Sequence, residues 1–439
     1  MNILERQLLV ALQPWRDAPV WHIALSGGLD SSVLLHLLVR LREQERLPAL
    51  KAIHVHHGLQ SAADAWPAHC RELCDRLGVP LQIEFVQVAA GASLERAARE
   101  ARYAACARRL GVGELLLTAQ HRDDQAETLL FRLLRGAGVR GLAGMPMARS
   151  LGRGRLVRPL LGVARAELER YAGEQRLNWV EDPSNTDTRL ARNFLRRDIL
   201  PALARQWPQL GATLARTAGQ MAEAEQLLGE LAEQDLVPAR SSPPFTWLGL
   251  PSLELAPLLD LSEARQRNAL RHWLAPLTPM PDREHWAGWC DLRDAAVDAE
   301  PIWRLGQGAL RRADGRLWWL PDEWLQSPLP PPPWLDPQAA LALPGNGAAQ
   351  LLGQPPLGEL ALRYRQGGEQ MIVPGRGRRD LKRLLNESGL PAFVRGRVPL
   401  LYRDSELVAV AGVEGLDGPR SGEWRLHWYP PTGVQGLSC

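Results

Sequence analysis

Strand and helix signals alternate along residues 20–176, and this alternation limits the fold more than any other property of the chain. Apolar runs read as strands at 21–25, 51–56, 81–88, 114–119 and 156–161. Helical patterns lie between and after them: from the first strand to about Arg42, over 64–77, from a Ser93 cap through Leu110, over 123–135 and over 164–176. A strand that returns to its sheet through a helix runs parallel to the one before it. The expected fold class is therefore α/β, a parallel sheet covered on both faces. Ligands of such sheets bind beyond the carboxyl ends of the strands, and the chemically distinctive residues fall there.

The first strand runs into Ser26-Gly27-Gly28-Leu29-Asp30-Ser31-Ser32, which opens a helix. Two glycines at a strand-to-helix turn let the backbone fold tightly and expose its N–H groups; with the helix N-terminus behind them they form an anion site. The serines add hydroxyls, and Asp30 offers a carboxylate to a metal ion on a phosphate. The kinase-type loop G-x-x-x-x-G-K-[ST] needs a lysine that is missing here, and G-x-G-x-x-G is missing too. The turn instead resembles the PP-loop, S-G-G-x-D-S, of the N-type ATP pyrophosphatases, which implies cleavage of ATP between its α- and β-phosphates. The plain alternative is a Ser/Gly turn that holds no ligand.

The second strand ends in His54-Val55-His56-His57. His54 and His56 share a strand face, while His57 takes the other or leaves the strand. A metal site, simple packing and an adenosine pocket beside the phosphate turn all stay open. After the fourth strand come His121, Asp124 and Glu127. The two carboxylates are three apart, on one side of the new helix. A histidine with two carboxylates suits Mg²⁺ binding or deprotonation of an amine; capping alone accounts for Asp123. A loop with interleaved glycines and arginines follows over 132–145 and reads as mobile and positive. From Arg122 to Arg165 there are nine arginines and three acidic residues, a marked local excess of positive charge. Arg192 and Arg196 share a helical face, to grip phosphate or to sit in solvent. Near the end, Arg376, Arg378, Arg379, Lys382, Arg383, Arg395 and Arg397 meet only Asp380 and Glu387. That is the footprint of a polyanion, most simply a nucleic acid, or else a solvated basic face.

The length, 439 residues, exceeds one ordinary domain. Four segments are expected: 1–208, the α/β domain; 209–326, a small, mostly helical domain; 327–337, a stiff Pro-rich linker reading SPLPPPPWLDP; and 338–439, an α+β domain. The cysteines Cys70, Cys74, Cys106, Cys290 and Cys439 contain no C-x-x-C pair, which argues against a zinc ribbon, a redox motif or a thiolate-ligated iron–sulfur site. Their odd, scattered pattern suits a reducing compartment. No apolar run is long enough to cross a membrane, and the first residues lack a signal-peptide plan, so the cytoplasm is the expected location. Sixteen tryptophans against five phenylalanines find no reason in the sequence.

Taken together, the stretches SGGLDSS, HVHHGL, ERAAREARY, TAQHRDDQAET with RLLRGAGVRGLAGM, RPLL at Arg158, EDPSNTD with RNFLRRDILP, and the C-terminal GRGRRDLKRLLNESGLPAFVRGRVPLLY resemble the tRNA(Ile)-lysidine synthase family. The likeness is weakest over 209–370. The family's His-His pair is Gln120-His121 here, so only His121 carries over. The resemblance implies ATP-dependent ligation of free L-lysine to the wobble cytidine of the CAU-anticodon isoleucine tRNA, through an adenylated cytidine, with ATP and Mg²⁺ required. It implies nucleotide binding by Ser26, Gly27, Gly28, Leu29, Asp30, Ser31, Ser32, His54 and His56. Asp30 becomes the metal ligand, and Asp30, His121, Asp124 and Glu127 the catalytic group. Arg99, Arg102, Arg192, Arg196, Arg376, Arg378, Arg379, Lys382 and Arg395 become substrate-binding residues, of which Arg192, Arg196 and the Arg376–Arg397 cluster contact tRNA. Residues 1–208 would then be catalytic, 209–326 substrate-binding and 338–439 tRNA-binding. No membrane partner is implied, and a homodimer is left open. Two other readings stand beside it: another PP-loop tRNA-modifying ligase or thiolase, and a non-catalytic RNA-binding protein. A binding module needs neither SGGLDSS nor the His121 cluster.

Overall fold

The structure, a computed structural model, describes residues 1–59, 61–88, 94–280, 284–296 and 299–431. The Ser93 cap and Cys439 lie outside the described residues. The chain divides into two compact units, Met1–Leu227 and Leu228–Cys439.

The first unit opens with α1 (Ile3–Leu12). It continues with β1 (Val20–Ala24), α2 (Leu29–Gln44), β2 (Ala49–His56), α3 (Trp66–Arg76), β3 (Leu81–Phe85), α4 (Leu94–Arg109) and β4 (Leu115–Leu117). After these come α5 (Arg122–Leu133), α6 (Val139–Leu142), β5 (Ala148–Leu151), β6 (Gly154–Val157) and α7 (Arg165–Glu174). The strands form one sheet in the order β3-β2-β1-β4-β6-β5, parallel except for β5. The expected parallel sheet is present. β5 is an addition: its sequence, Ala-Arg-Ser-Leu, lies at the sheet edge and carries too few apolar side chains to show a strand period.

At the centre of the sheet both faces are buried, which is why β1 and β4 read as continuous apolar runs. Trp21, Ile23, Leu115 and Leu117 pack with Val33, Leu34, Leu37 and Leu41 of α2 and with Leu168 and Tyr171 of α7. Ile53, Leu116 and Leu156 face the other way, against Cys106 and Leu110 of α4. Each fully buried side chain of this size contributes about 1.5–3 kcal/mol. The chain order reverses between β1 and β4: β2 and β3 build out on one side of β1, β4 and β6 on the other. The connections leaving β1 and β4 therefore part at their carboxyl ends and open a crevice. Residues 191–206 contribute a helical turn (Ala191–Phe194), a π-helical turn (Leu195–Ile199) and a helix (Leu200–Gln206).

In the second unit, the segment expected to be mostly helical also holds a four-stranded antiparallel sheet. Its strands are Ser252–Glu254, Arg316–Pro321, Gly308–Ala313 and Ile302–Leu305, in spatial order. Arg316–Pro321 is buried on both faces. Leu317 and Trp319 join Trp286, Trp289 and Trp303 in one core. Trp318 and Leu320 join Trp324, Trp334, Trp424 and Trp428 in another, with Leu384, Leu400 and Val410 from beyond the Pro-rich segment. Nine of the sixteen tryptophans thus fill the two layers around one small sheet. Trp334 anchors the Pro-rich segment in the shared core, and its indole N–H donates to the Ala339 carbonyl at 3.1 Å.

Candidate active site

The turn after β1 is built by its own hydroxyls. Gly27 sits at φ +85°, where a Cβ would stand 3.1 Å from Cys70 Sγ and 3.2 Å from Val180 Cγ2, so a side chain there is strained and crowded. Its carbonyl accepts from the Val180 N–H at 2.9 Å, which ties the segment 179–182 to the turn. Ser26 Oγ and Ser31 Oγ lie 2.9 Å apart, Gly28 N–H donates to Ser26 Oγ at 3.3 Å, and Ser31 Oγ donates to the Gly28 carbonyl at 3.0 Å. Ser32 is buried and turned inward, its hydroxyl 3.5 Å from the Gly27 carbonyl.

A cavity of about 580 Å³ opens here, within the range of small-molecule sites. Ser26, Gly28, Leu29, Asp30 and Ser31 line it from the turn, and Thr118, Gln120 and Asp124 from the end of β4 and α5. His54, His57, Arg102, Tyr103, Arg165, Trp179, Glu181, Asp182, Arg196 and Arg197 also lie on the wall. The strand-end residues singled out in the sequence are thus largely brought together. Those given no role from the sequence are of two kinds: His57, Tyr103, Thr118, Gln120, Glu181, Asp182 and Arg197 lie inside the quoted motifs, whereas Arg165 and Trp179 carry no local motif that marks them. Gly27, Ser32, His56, His121, Glu127, Arg99 and Arg192 stand off the wall.

Each displaced residue has a partner that explains its place. β2 ends at His56, whose Nε2 lies 3.2 Å from Asp64 and whose ring packs on Phe85. Its neighbour His57 leaves the strand and takes the wall. His54 is buried, and burial lowers its imidazole below the ordinary value. Its Nδ1 donates to the Leu25 carbonyl at 2.8 Å, so the buried, unpartnered Nε2 is left as an acceptor.

His121, 2% exposed, caps α5: the Asp124 N–H donates to its Nδ1 at 3.4 Å, and the His121 N–H donates to Asp124 Oδ2 at 3.1 Å. Nε2 then stands 3.7 Å from Asp30 Oδ2 and 3.4 Å from Asp124 Oδ2. Burial raises the Asp30 carboxyl, with His121 and Arg165 pulling the other way, and its Oδ1 has no partner. Among the described residues no group of three ligating side chains forms a ready-made metal cage. Glu127 is 2% exposed, and burial raises its carboxyl against the pull of Arg196 and Arg192. Arg196 Nε donates to Glu127 at 2.9 Å and Nη2 to Asp124 at 2.7 Å; Arg192 lies 3.5 Å from Glu127. The π-helical turn that carries Arg196 is thereby clamped to α5.

Not every arginine is free positive charge. In the loop read as mobile, Arg132 donates to the Gly141 and Gly144 carbonyls at 2.8 Å each, and Gln125 grips both backbone groups of Met145. In the second unit, Arg376 and Arg383 share Glu387, and Arg395 donates to the Leu390 carbonyl at 2.7 Å. Arg397, expected among the exposed basic residues, is buried: it donates to the Gln326 carbonyl at 2.6 Å and lies over the Trp324 ring. Arg378, Arg379 and Lys382 are exposed and have no carboxylate partner among the described residues.

Three family models match the chain: a PP-loop domain over residues 1–203, a TilS substrate binding domain over 253–318 and a TilS substrate C-terminal domain over 360–428. The chain is 62% identical to the tRNA(Ile)-lysidine synthase of Pseudomonas syringae pv. tomato, over 99% of this chain and 98% of that protein. It is 61% identical to that of Pseudomonas aeruginosa over 99% of each, and 42% identical to that of Escherichia coli O157:H7 over 93% of this chain and 94% of that protein.

Proposed function

The chain belongs to the tRNA(Ile)-lysidine synthase family, and from that premise we propose how its residues divide the work. The protein is a ligase that forms lysidine on tRNA(Ile) in an ATP-dependent reaction. The observation that carries the residue assignment is the convergence of the PP-loop, Asp30 and the α5 N-terminus on one cavity. In the first step the 2-carbonyl oxygen of the wobble cytidine attacks the α-phosphorus of ATP and pyrophosphate leaves. In the second, the ε-amine of free lysine attacks C2, gives up a proton, and AMP leaves.

The backbone N–H groups at the start of α2, with Ser26 and Ser31, hold the departing pyrophosphate. His54 Nε2 accepts from an amino or hydroxyl group of the nucleoside, because Nδ1–H is already committed. Asp30 fits a Mg²⁺ ion: its Oδ1 is buried without a partner, and Mg²⁺ needs only one or two protein carboxylates beside phosphate oxygens. When bound, the ion would neutralise the charge that develops on the phosphates. Asp124, Glu181 and Asp182 on the wall attract the lysine ammonium and take up its proton. His121 and Glu127 act one layer out: the first orients Asp30 and Asp124, the second holds Arg192 and Arg196. Arg378, Arg379 and Lys382 contact tRNA phosphates. In this division residues 1–208 carry the chemistry, 209–326 bind substrate and 338–439 bind tRNA, and the work is done in the cytoplasm.

The test is incubation with ATP, Mg²⁺, labelled lysine and a CAU-anticodon isoleucine tRNA transcript, with methionine tRNA as control. Label in the isoleucine tRNA alone is the expected result. Pyrophosphate release without lysine transfer would overturn the second step.

A further inference from the structure

Three arginines gather round one tyrosine on the α4 side of the cavity, and a fourth lies beside it on the wall. Tyr103 and Arg102 line the cavity. Arg99, one helical turn earlier, places its guanidinium carbon 5.4 Å from the Tyr103 ring centroid, and Arg149 of β5 places its own at 4.9 Å. Arg158, just past β6, is 2% exposed and faces the Tyr103 hydroxyl. It donates to the Pro146 carbonyl at 2.6 Å, while its buried Nε has no partner.

Among the described residues none of these four arginines meets a carboxylate, whereas Arg192 and Arg196 have Glu127, and Arg376 and Arg383 have Glu387. Burial, together with the nearby Arg149 and Arg99 charges, holds Arg158 below the ordinary guanidinium value. Clustered positive charge without a carboxylate is unfavourable until an anion supplies the missing partner. The phosphates of ATP already have their site at the start of α2. A second anion site, beginning at Arg102 on the cavity wall and continuing to Arg99 and Arg149 outside it, serves the second phosphate-bearing substrate, and this step rests on the reading of tRNA as that substrate.

We propose that Arg99, Arg102 and Arg149, with the buried Arg158 holding Tyr103 behind them, form a phosphodiester clamp for the anticodon-loop backbone beside the nucleotide whose base enters the cavity. Tyr103 is a positioning residue in this clamp, holding the Arg99 and Arg149 guanidinium groups by cation–π contact. The clamp gives an unstacked base a fixed point of entry, which a base-modifying enzyme needs.

Arg149→Ala is the first test, because Arg149 lies on an edge strand and its other bond goes only to the adjacent Ser150 carbonyl. Binding of the tRNA transcript is measured by filter binding across a salt series, and the KM for ATP by pyrophosphate release. The expected result is roughly tenfold weaker tRNA binding at low salt. The slope of log Kd against log salt should fall by about 0.7, the value for one single-strand phosphate contact. The KM for ATP should not move. Tyr103→Leu should weaken tRNA binding with the slope retained, because it removes no charge. If Arg149→Ala fails to fold, Arg99→Ala on the exposed face of α4 takes its place with the same expectations. Unchanged tRNA affinity and slope, or a raised ATP KM with tRNA binding intact, overturns the clamp. Wild-type protein assayed in parallel separates the two levels, since failure to form lysidine there refutes the reaction rather than the clamp.

Discussion

Arg196→Ala tests whether Arg196 positions the site or touches the tRNA. Its guanidinium bridges Glu127 and Asp124 at 2.7–2.9 Å. Breaking a fully buried pair costs about 3–5 kcal/mol, and an exposed one contributes about 0–1. Glu127 is buried but the Arg196 side chain is 39% exposed, and Arg192 still lies 3.5 Å from Glu127. An intermediate loss of about 2 kcal/mol follows. The assay is a double-mutant cycle with Glu127→Gln, read by urea unfolding and by kcat/KM for lysidine formation. A coupling energy of about 1–2 kcal/mol is expected, since each single change already removes the pair. The pH dependence has a definite sign. A carboxyl whose folded value is raised holds a proton that the unfolded chain has lost, so its contribution to stability falls as pH rises through the folded value. Removing Arg196 pushes Glu127 higher still, so the variant's deficit should be largest at neutral pH and shrink on acidification. Unchanged stability together with a collapse of tRNA affinity would refute the clamp to α5 and make Arg196 a direct tRNA contact.

Four further outcomes are expected. Gly27→Ala should raise the KM for ATP at least tenfold and cost about 1–3 kcal/mol, from left-handed strain and the close approach to Cys70 and Val180; wild-type ATP kinetics would show that the turn relaxes freely. Asp30→Asn should abolish tRNA-dependent pyrophosphate release, and retained turnover would remove Asp30 from the metal assignment. Cys70, Cys74 and Cys106 are buried, with thiols pushed up to about 12, 12 and 11, whereas Cys290 is exposed. Iodoacetamide at pH 8 should therefore modify Cys290 in the native protein and reach those three only after unfolding, as peptide mapping would reveal. Arg378→Ala with Arg379→Ala should weaken tRNA binding and flatten its salt dependence; an unchanged slope would place the tRNA elsewhere.

The parallel sheet was legible because it is written in short-range patterns. Strands buried on both faces read as apolar runs, and Gly27 with Gly28 marks a turn that few other residues can make. β5 and the strands of 302–321 were not legible, because arginines at an edge and tryptophans packed on two sides share no period. Likewise the α5 N-terminus was marked by His121 and Asp124, but nothing near His56 and His57 in the chain told which would reach the cavity. Where β2 stops decided that.

Sequence alone determined which chemistry the strand ends offer: a glycine turn for phosphates, carboxylates and a histidine at a helix start, and an abundance of arginine. Tertiary structure decided what each arginine does. Arg196 meets a carboxylate 69 residues away, Arg397 is buried against backbone carbonyls, and Arg149 and Arg158 come from neighbouring strands to a tyrosine on α4. A guanidinium is the same in the sequence whichever partner it finds. Whether its charge is spent on a carboxylate, on a carbonyl or kept for a substrate depends on which distant segments the fold packs beside it.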